Sequence, residues 1–271
     1  MDVQVIGVCR FSLLVEGGFQ DGPTDIEERA RFLFDPRRLA IRFAWFEHVL
    51  ASSICAQEDD RFSFVVLASD RLPRPHADRL HDIARTVPGM EVELAPVGAH
   101  HRVANEAIRR RIDPAADLLA QFRLDDDDGL ARDYVARVRS DLEGGLAGLA
   151  LRYGALSCDY LHGLVLEADA ASARLRQTYV RAWTCGQTLY QRPDARQLLF
   201  GFGHHRHHSD MPTVSLQDSL MFVRGRHPTN DSPLRVARHD TRRARMAVLT
   251  DRFGVSIEAL QAALRAAEAE G

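Results

Sequence analysis

Ala120-Gln121-Phe122-Arg123-Leu124-Asp125-Asp126-Asp127-Asp128, followed at once by Gly129, is the stretch that decides how this chain is read. An apolar strand that ends in stacked carboxylates gathers several negative charges within a few ångströms. That is unfavourable unless a cation lies among them. Open α/β sheets place their ligands at the carboxyl ends of strands. The cation expected here is hard and divalent, Mg2+ or Mn2+, held by oxygen and bridging to a phosphate-bearing substrate. One or two aspartates would serve to cap a helix starting at Leu130; four in succession exceed that need.

Upstream of this run, strand and helix patterns alternate. Val3 to Phe11 is a buried-strand run, followed by a polar, Gly-rich loop from Glu16 to Asp25. Arg37 to Cys55 carries Leu39, Phe43, Phe46, Val49 and Leu50 at helical spacing, with Pro36 near its start. Phe62 to Ala68, Met90 to Leu94 and Leu118 to Leu124 read as strands, and Pro75 to Thr86 and Val103 to Ile112 as helices. The βαβαβαβ order predicts an α/β fold with a mostly parallel sheet covered on both faces. Downstream, a helix is expected over Leu130 to Leu142, and strands over Ala155 to Glu167 and Thr178 to Tyr190. Thr241 to Glu270 reads as helical.

Composition narrows the classes. At 271 residues with a net charge of −3, the chain can bury a full core but projects no basic field toward nucleic acid. No apolar run approaches a membrane span, and Met1-Asp2-Val3 opens a strand, not a secretion signal. Cys9, Cys55, Cys158 and Cys185 lack CxxC spacing and are expected to be reduced thiols of a cytoplasmic protein. All 35 basic residues are arginine. A Schiff-base or P-loop lysine is therefore ruled out, and phosphate must be held by arginine, backbone amides or metal.

Three stretches carry a family resemblance: Cys9-Arg10-Phe11-Ser12; Leu33-Phe34-Asp35-Pro36-Arg37-Arg38-Leu39 running into Arg42-Phe43-x-x-Phe46-Glu47; and Gln121-Phe122-Arg123-Leu124-Asp125-Asp126-Asp127-Asp128. In these the chain resembles the bacterial rhamnosyltransferase family, a branch of the GT-A-type glycosyltransferases, over most of residues 3 to 140. The resemblance implies a GT-A-like fold and metal-dependent transfer of a sugar, rhamnose by the family's name, from a nucleotide-sugar donor to a saccharide or other acceptor. It implies that Asp125 faces the ribose side of the nucleotide and assists the metal, that Asp127 binds Mn2+ or Mg2+ directly, and that Asp126 and Asp128 support. Register within four identical residues leaves Asp126 with Asp128 as the other pairing. Arg10 and Phe11 suit nucleotide contact, and Phe11 suits plain core equally. Arg123 reaches a ligand or neutralises the aspartates.

A third metal ligand is expected from a C-terminal histidine, as in many GT-A enzymes. His227, in Arg224-Gly225-Arg226-His227-Pro228-Thr229-Asn230, is placed ahead of the loop bearing His204, His205, His207 and His208. Arg224 and Arg226 of the same loop are expected to meet the pyrophosphate. An inverting enzyme needs a carboxylate base near the acceptor hydroxyl, for which Asp218 and Asp159 are the candidates; a retaining enzyme needs none. Residues 1–240 are expected to form the transferase domain, with a nucleotide-binding half over 1–142 and an acceptor half over 143–240. A helical hairpin follows over 241–271 and offers a surface for oligomer formation. Its helix-turn-helix cadence is not read as DNA-binding, because Glu258, Glu268 and Glu270 oppose a single Arg265. The competing class is a non-catalytic protein that binds nucleotide and divalent metal.

Overall fold

Val3–Phe11 is apolar on both faces and forms β1, the central strand of the fold. The computed structural model describes residues 1–17, 23, 25–230 and 242–269. Ser63–Ser69 (β2), Met90–Ala95 (β3) and Leu118–Asp125 (β4) lie parallel to β1 in the order β3-β2-β1-β4. The chain thus builds outward from β1 on one side, then crosses to its other side. The crevice between the carboxyl ends of β1 and β4 is the point where such sheets receive ligands.

The remaining strands are Gly129–Leu130 (β5), Ala155–Tyr160 (β6), His162–Ala168 (β7), Ala173–Tyr179 (β8), Gln187–Gln191 (β9), Thr213–Leu216 (β10), Phe222–Arg226 (β11) and Arg242–Arg243 (β12). β9, β6 and β10 extend the first sheet beyond β4, with β9 running against its neighbours. A second sheet, in the order β12-β8-β7-β11-β5, is mostly antiparallel. The α/β class, the mostly parallel sheet flanked by helices and the C-terminal helical extension agree with the sequence reading.

Several boundaries differ from expectation for a common reason: the chain changes sheet where one strand was expected. Ala155 to Glu167 breaks at Leu161 into β6 and β7, which belong to different sheets. Thr178 to Tyr190 splits likewise between β8 and β9, through a 3-10 turn at Thr184–Gly186. The helix expected from Leu130 starts at Tyr134, because Gly129–Leu130 pairs with β11 instead. The helix Ile26–Leu33 was not expected; Asp25 caps it by accepting from the amides of Glu27 and Glu28.

Pro36–Trp45 forms a helix capped by Asp35, whose side chain accepts from the Arg38 amide. It continues through π-helical Phe46–Ala51 into Ser52–Cys55. Its Phe43 and Phe46 pack with Phe11 of β1 on one face of the first sheet. The opposite face packs on helix His100–Arg109 through Ile6, Val8, Ala104 and Ile108. Helices Ala247–Phe253 and Ile257–Ala269 form the C-terminal hairpin, which buries Phe253 and Leu260 against Trp45, Leu164 and Val223. Thr241 and Glu270, the ends of the expected helical region, lie outside the described residues. Among the described residues, no helix is long and apolar enough to cross a membrane.

Candidate functional site

The four aspartates form the turn that carries the chain from the first sheet to the second. The Asp128 amide donates to the Asp125 carbonyl at 3.1 Å, and β5 begins at the next residue. Each carboxyl group meets a different partner, which is how four adjacent aspartates share one turn.

Asp125 sits at the end of β4 opposite Arg10 of β1, whose guanidinium donates to Asp125 Oδ1 at 2.8 Å. Burial disfavours the charged carboxylate, but Arg10 and Arg123 outweigh it and hold Asp125 well below the usual carboxylate range. Asp126 points inward and is fully buried. Arg42, on the helix Pro36–Trp45, grips it through two nitrogens, Nε at 2.8 Å from Oδ2 and Nη2 on Oδ1. This two-pronged pair ties the helix to the turn. Asp126 is therefore engaged by the scaffold and does not line the cleft.

Asp127 Oδ2 accepts from Asn230 Nδ2 and lies 3.2 Å from His227 Nε2. Burial again opposes its charge, and His227 and Arg42 more than compensate, so its pKa is lowered. At Asp128 the balance reverses: burial, with Asp127 and Asp125 adding, outweighs the pull of Arg224 and pushes its pKa well up. One oxygen of Asp128 accepts from the Gly225 amide at 3.3 Å. A Cβ on Gly225 would stand 2.3 Å from the Asp127 carbonyl oxygen, so only glycine lets β11 approach the turn this closely.

Around the turn opens a cavity of about 600 Å³ at the carboxyl ends of β1 and β4. Asp125, Asp127 and Asp128 line it beside Arg10, Arg42, Arg123 and Arg224, and the Gly201 to His204 loop forms its far wall. Arg10 also reaches His100 Nε2 at 3.1 Å, and Arg123 reaches His204 Nδ1 at 2.9 Å. Burial next to these guanidinium groups brings His100 down to about 3 and His204 to about 4. Both imidazoles are neutral near pH 7 and accept from their arginines.

Asp127 and His227 together suit a divalent ion. His227 Nε2 is buried and has no hydrogen-bond partner. Two atoms bound to one Mg2+ or Mn2+ in adjacent positions stand about 3 Å apart, close to the separation seen here. A hydrogen bond between Nδ1 and Thr229 Oγ1 at 2.9 Å orients the ring, as partners of metal-binding histidines do. Burial outweighs the pull of Asp127 and lowers the His227 pKa, which favours the neutral ring that a metal ligand requires. Among the described residues no three His, Cys, Asp or Glu side chains group closely enough to hold a metal by themselves. An ion placed here would take two ligands from the chain and the rest from water and phosphate oxygens, a common arrangement for Mg2+.

The other candidates named from sequence fall elsewhere. Phe11 is core, with its ring 4.6 Å from Phe43 and 5.2 Å from Phe46, so it faces the helix and not a nucleotide. Arg226 donates to Glu167 at 3.0 Å and does not line the cavity. Asp218 is exposed, pairs with Arg137 at 2.9 Å, and is likewise absent from the lining. Asp159 is buried and also absent from the cavity lining; its register partner Gln187 donates to the His204 carbonyl at 3.1 Å. Asp159 Oδ2 accepts from the Ala182 amide at 2.8 Å, while Oδ1 has no partner. Burial raises this carboxyl to about 6.

Sequence reasoning assigned no role to Arg42, His100 or Asn230. The signal for Arg42 was its place three residues after Leu39, on the apolar stripe of its helix. A charge there must be paired. His100 and Asn230 carried no such mark.

Residues 4–239 match a family model described as "Putative rhamnosyl transferase". No curated protein matches the chain. Among solved structures, S. aureus TarS 1-349 in complex with UDP-GlcNAc is similar at 11% identity and a TM-score of 0.45, over 85% of this chain and 60% of that one. The mannosyltransferase PcManGT from Pyrobaculum calidifontis, in complex with GDP-Man and Mn2+, is similar at 13% identity and a TM-score of 0.41, over 81% and 56%. The chain spans less than two thirds of the length of either structure.

Proposed function

Because this chain belongs to the rhamnosyl transferase family whose model it matches from residue 4 to residue 239, we propose that it moves a sugar from a nucleotide-sugar donor to a hydroxyl of a glycan or other acceptor. The observation that carries this reading is the cleft at the ends of β1 and β4, where the partnerless His227 Nε2 stands 3.2 Å from Asp127 Oδ2 among arginines suited to phosphate.

Asp127 and His227 would hold Mn2+ or Mg2+, which when bound neutralises charge growing on the departing nucleoside diphosphate. Arg10 and Arg123 draw the anionic donor into the cleft and position it. Asp125, fixed by Arg10, is assigned to the ribose side. Asp126 and Arg42 keep the turn in place. Residues 1–142 serve as the nucleotide-binding half and 143–240 as the acceptor half. The rhamnosyl character rests on the family alone.

For an inverting reaction Asp159 is the better base of the two candidates. It has a buried, unpartnered oxygen, and at about 6 its pKa suits proton uptake near neutral pH. Asp218 is exposed and held by Arg137.

Incubating the chain with a panel of UDP-, GDP- and dTDP-sugars and Mn2+ tests the reading. Release of free sugar from at least one donor is expected, and EDTA should abolish it. If diphosphates bind but no donor is cleaved with or without saccharide acceptors, the chain is a nucleotide- and metal-binding protein instead.

A further inference from the structure

The cleft arginines are not equivalent. Arg10 is bound to Asp125 and His100, Arg42 to Asp126 and Arg123 to His204. Arg226 is held by Glu167, away from the cavity. Arg224 lines the cavity; the charges of Asp128, Asp125 and Asp127 act on it, yet among the described residues no carboxylate or carbonyl accepts a hydrogen bond from its guanidinium. What holds it is a ring: the guanidinium lies 4.7 Å from the centre of Trp183.

This arrangement differs from an ion pair in its consequences. Stacking fixes the guanidinium over the indole without occupying its in-plane N–H donors, which stay available to an incoming anion. The backbone beneath is equally fixed. Val223 pairs with Gly129, Arg224 pairs with Val165 of β7, and the Gly225 amide is bonded to Asp128. A cation set on a strand, with its donors unspent, is already organised for binding.

The position also selects. Arg224 lines the same cavity as Asp127 and Asp128, and the charges of both act on it. A phosphate completing a metal shell at Asp127 would therefore have Arg224 close to its remaining oxygens. A chain without lysine has few other means of meeting them.

We propose that Arg224, held by Trp183, is the diphosphate clamp of the donor site: it grips phosphoryl oxygens in a two-pronged fashion and makes the cleft favour a nucleoside diphosphate over a monophosphate. The inference rests on the donor-site reading above and adds the residue that sets its phosphate preference.

Calorimetric titration of the full chain at fixed Mn2+ tests it. UDP, GDP and dTDP are run beside their monophosphates, with inorganic pyrophosphate as a base-free probe. For the best-binding nucleoside, Arg224→Ala should weaken the diphosphate and pyrophosphate roughly 10- to 100-fold while changing the monophosphate by less than about threefold. Arg224→Lys should recover little, since an ammonium neither forks nor stacks in the same way. Trp183→Leu should weaken the diphosphate several-fold and Trp183→Phe much less. Arg226→Ala should stay within about twofold.

Equal losses for mono- and diphosphate, or an Arg224→Ala affinity within about twofold of the parent, would overturn the proposal. If the parent binds no diphosphate at all, the donor-site reading falls and takes this one with it. Binding by the parent with no effect at Arg224 removes only the clamp. Should Arg224→Ala fail to fold, by circular dichroism, Arg224→Gln and the paired Trp183 variants decide the matter by the same comparison.

Discussion

At the residue scale the four aspartates are not a uniform acidic patch. Asp126 is spent on structure, Asp125 and Asp127 are held charged by cations, and Asp128 is pushed toward protonation. The run itself was plain in the sequence, and so was its place at a strand end. Its division of labour was not, because each role depends on a partner far away in the chain: Arg42, Asn230 and Gly225. A mutation pair makes the structural share measurable. Arg42→Ala leaves a buried carboxylate without its partner and should cost about 3 to 5 kcal/mol of unfolding free energy in urea. Adding Asp126→Asn to it should return a large part of that loss. A single-variant loss below about 1 kcal/mol would show that the pair does not anchor the turn.

At the element scale, the strands and helices around β1 were legible because each is long and strongly patterned. The second half was misread where short strands change sheet, at Leu161 and again between Tyr179 and Gln187. Alternation along the chain cannot report which sheet a strand joins. The histidine loop shows the same limit. His207, which nothing in the sequence sets apart from its neighbours, is buried and bonded through Nδ1 to Ser157 Oγ at 3.0 Å.

That burial has a consequence for pH. Desolvation, with Arg123 and His205 adding and Asp210 opposing, lowers His207 from 6.5 to about 4. A base with a depressed folded pKa is protonated first in the unfolded chain, so its contribution is complete above about 6.5 and drains as the pH falls toward about 4. His100 and His204 act in the same direction. Unfolding free energy measured in urea should therefore rise between pH 4.5 and pH 7, roughly the window these shifts define, and His207→Gln should flatten the rise. A slope unchanged by His207→Gln would exclude His207 as a source.

At the scale of the whole molecule, two sheets meet at the aspartate turn, and the C-terminal hairpin braces the helix that carries Arg42. Sequence pattern gave β1 to β4 of the first sheet and the C-terminal helical extension, but not β10. It did not give the second sheet, whose strands are short and paired mostly out of chain order. Yet that sheet supplies Arg224 and Gly225 and, just beyond β11, His227, to a site begun by β1 and β4. The metal-site proposal is that these two parts hold one divalent ion between them when a diphosphate is present. Its most direct test is calorimetric titration of the best-binding nucleoside diphosphate with Mn2+ and with EDTA, on the parent, Asp127→Asn and His227→Ala, at pH ~7.5 so that imidazole is neutral. Mn2+ should tighten binding to the parent at least about tenfold, and either substitution should remove most of that gain. Equal affinity with Mn2+ and EDTA, or a full Mn2+ gain in both variants, would contradict the claim.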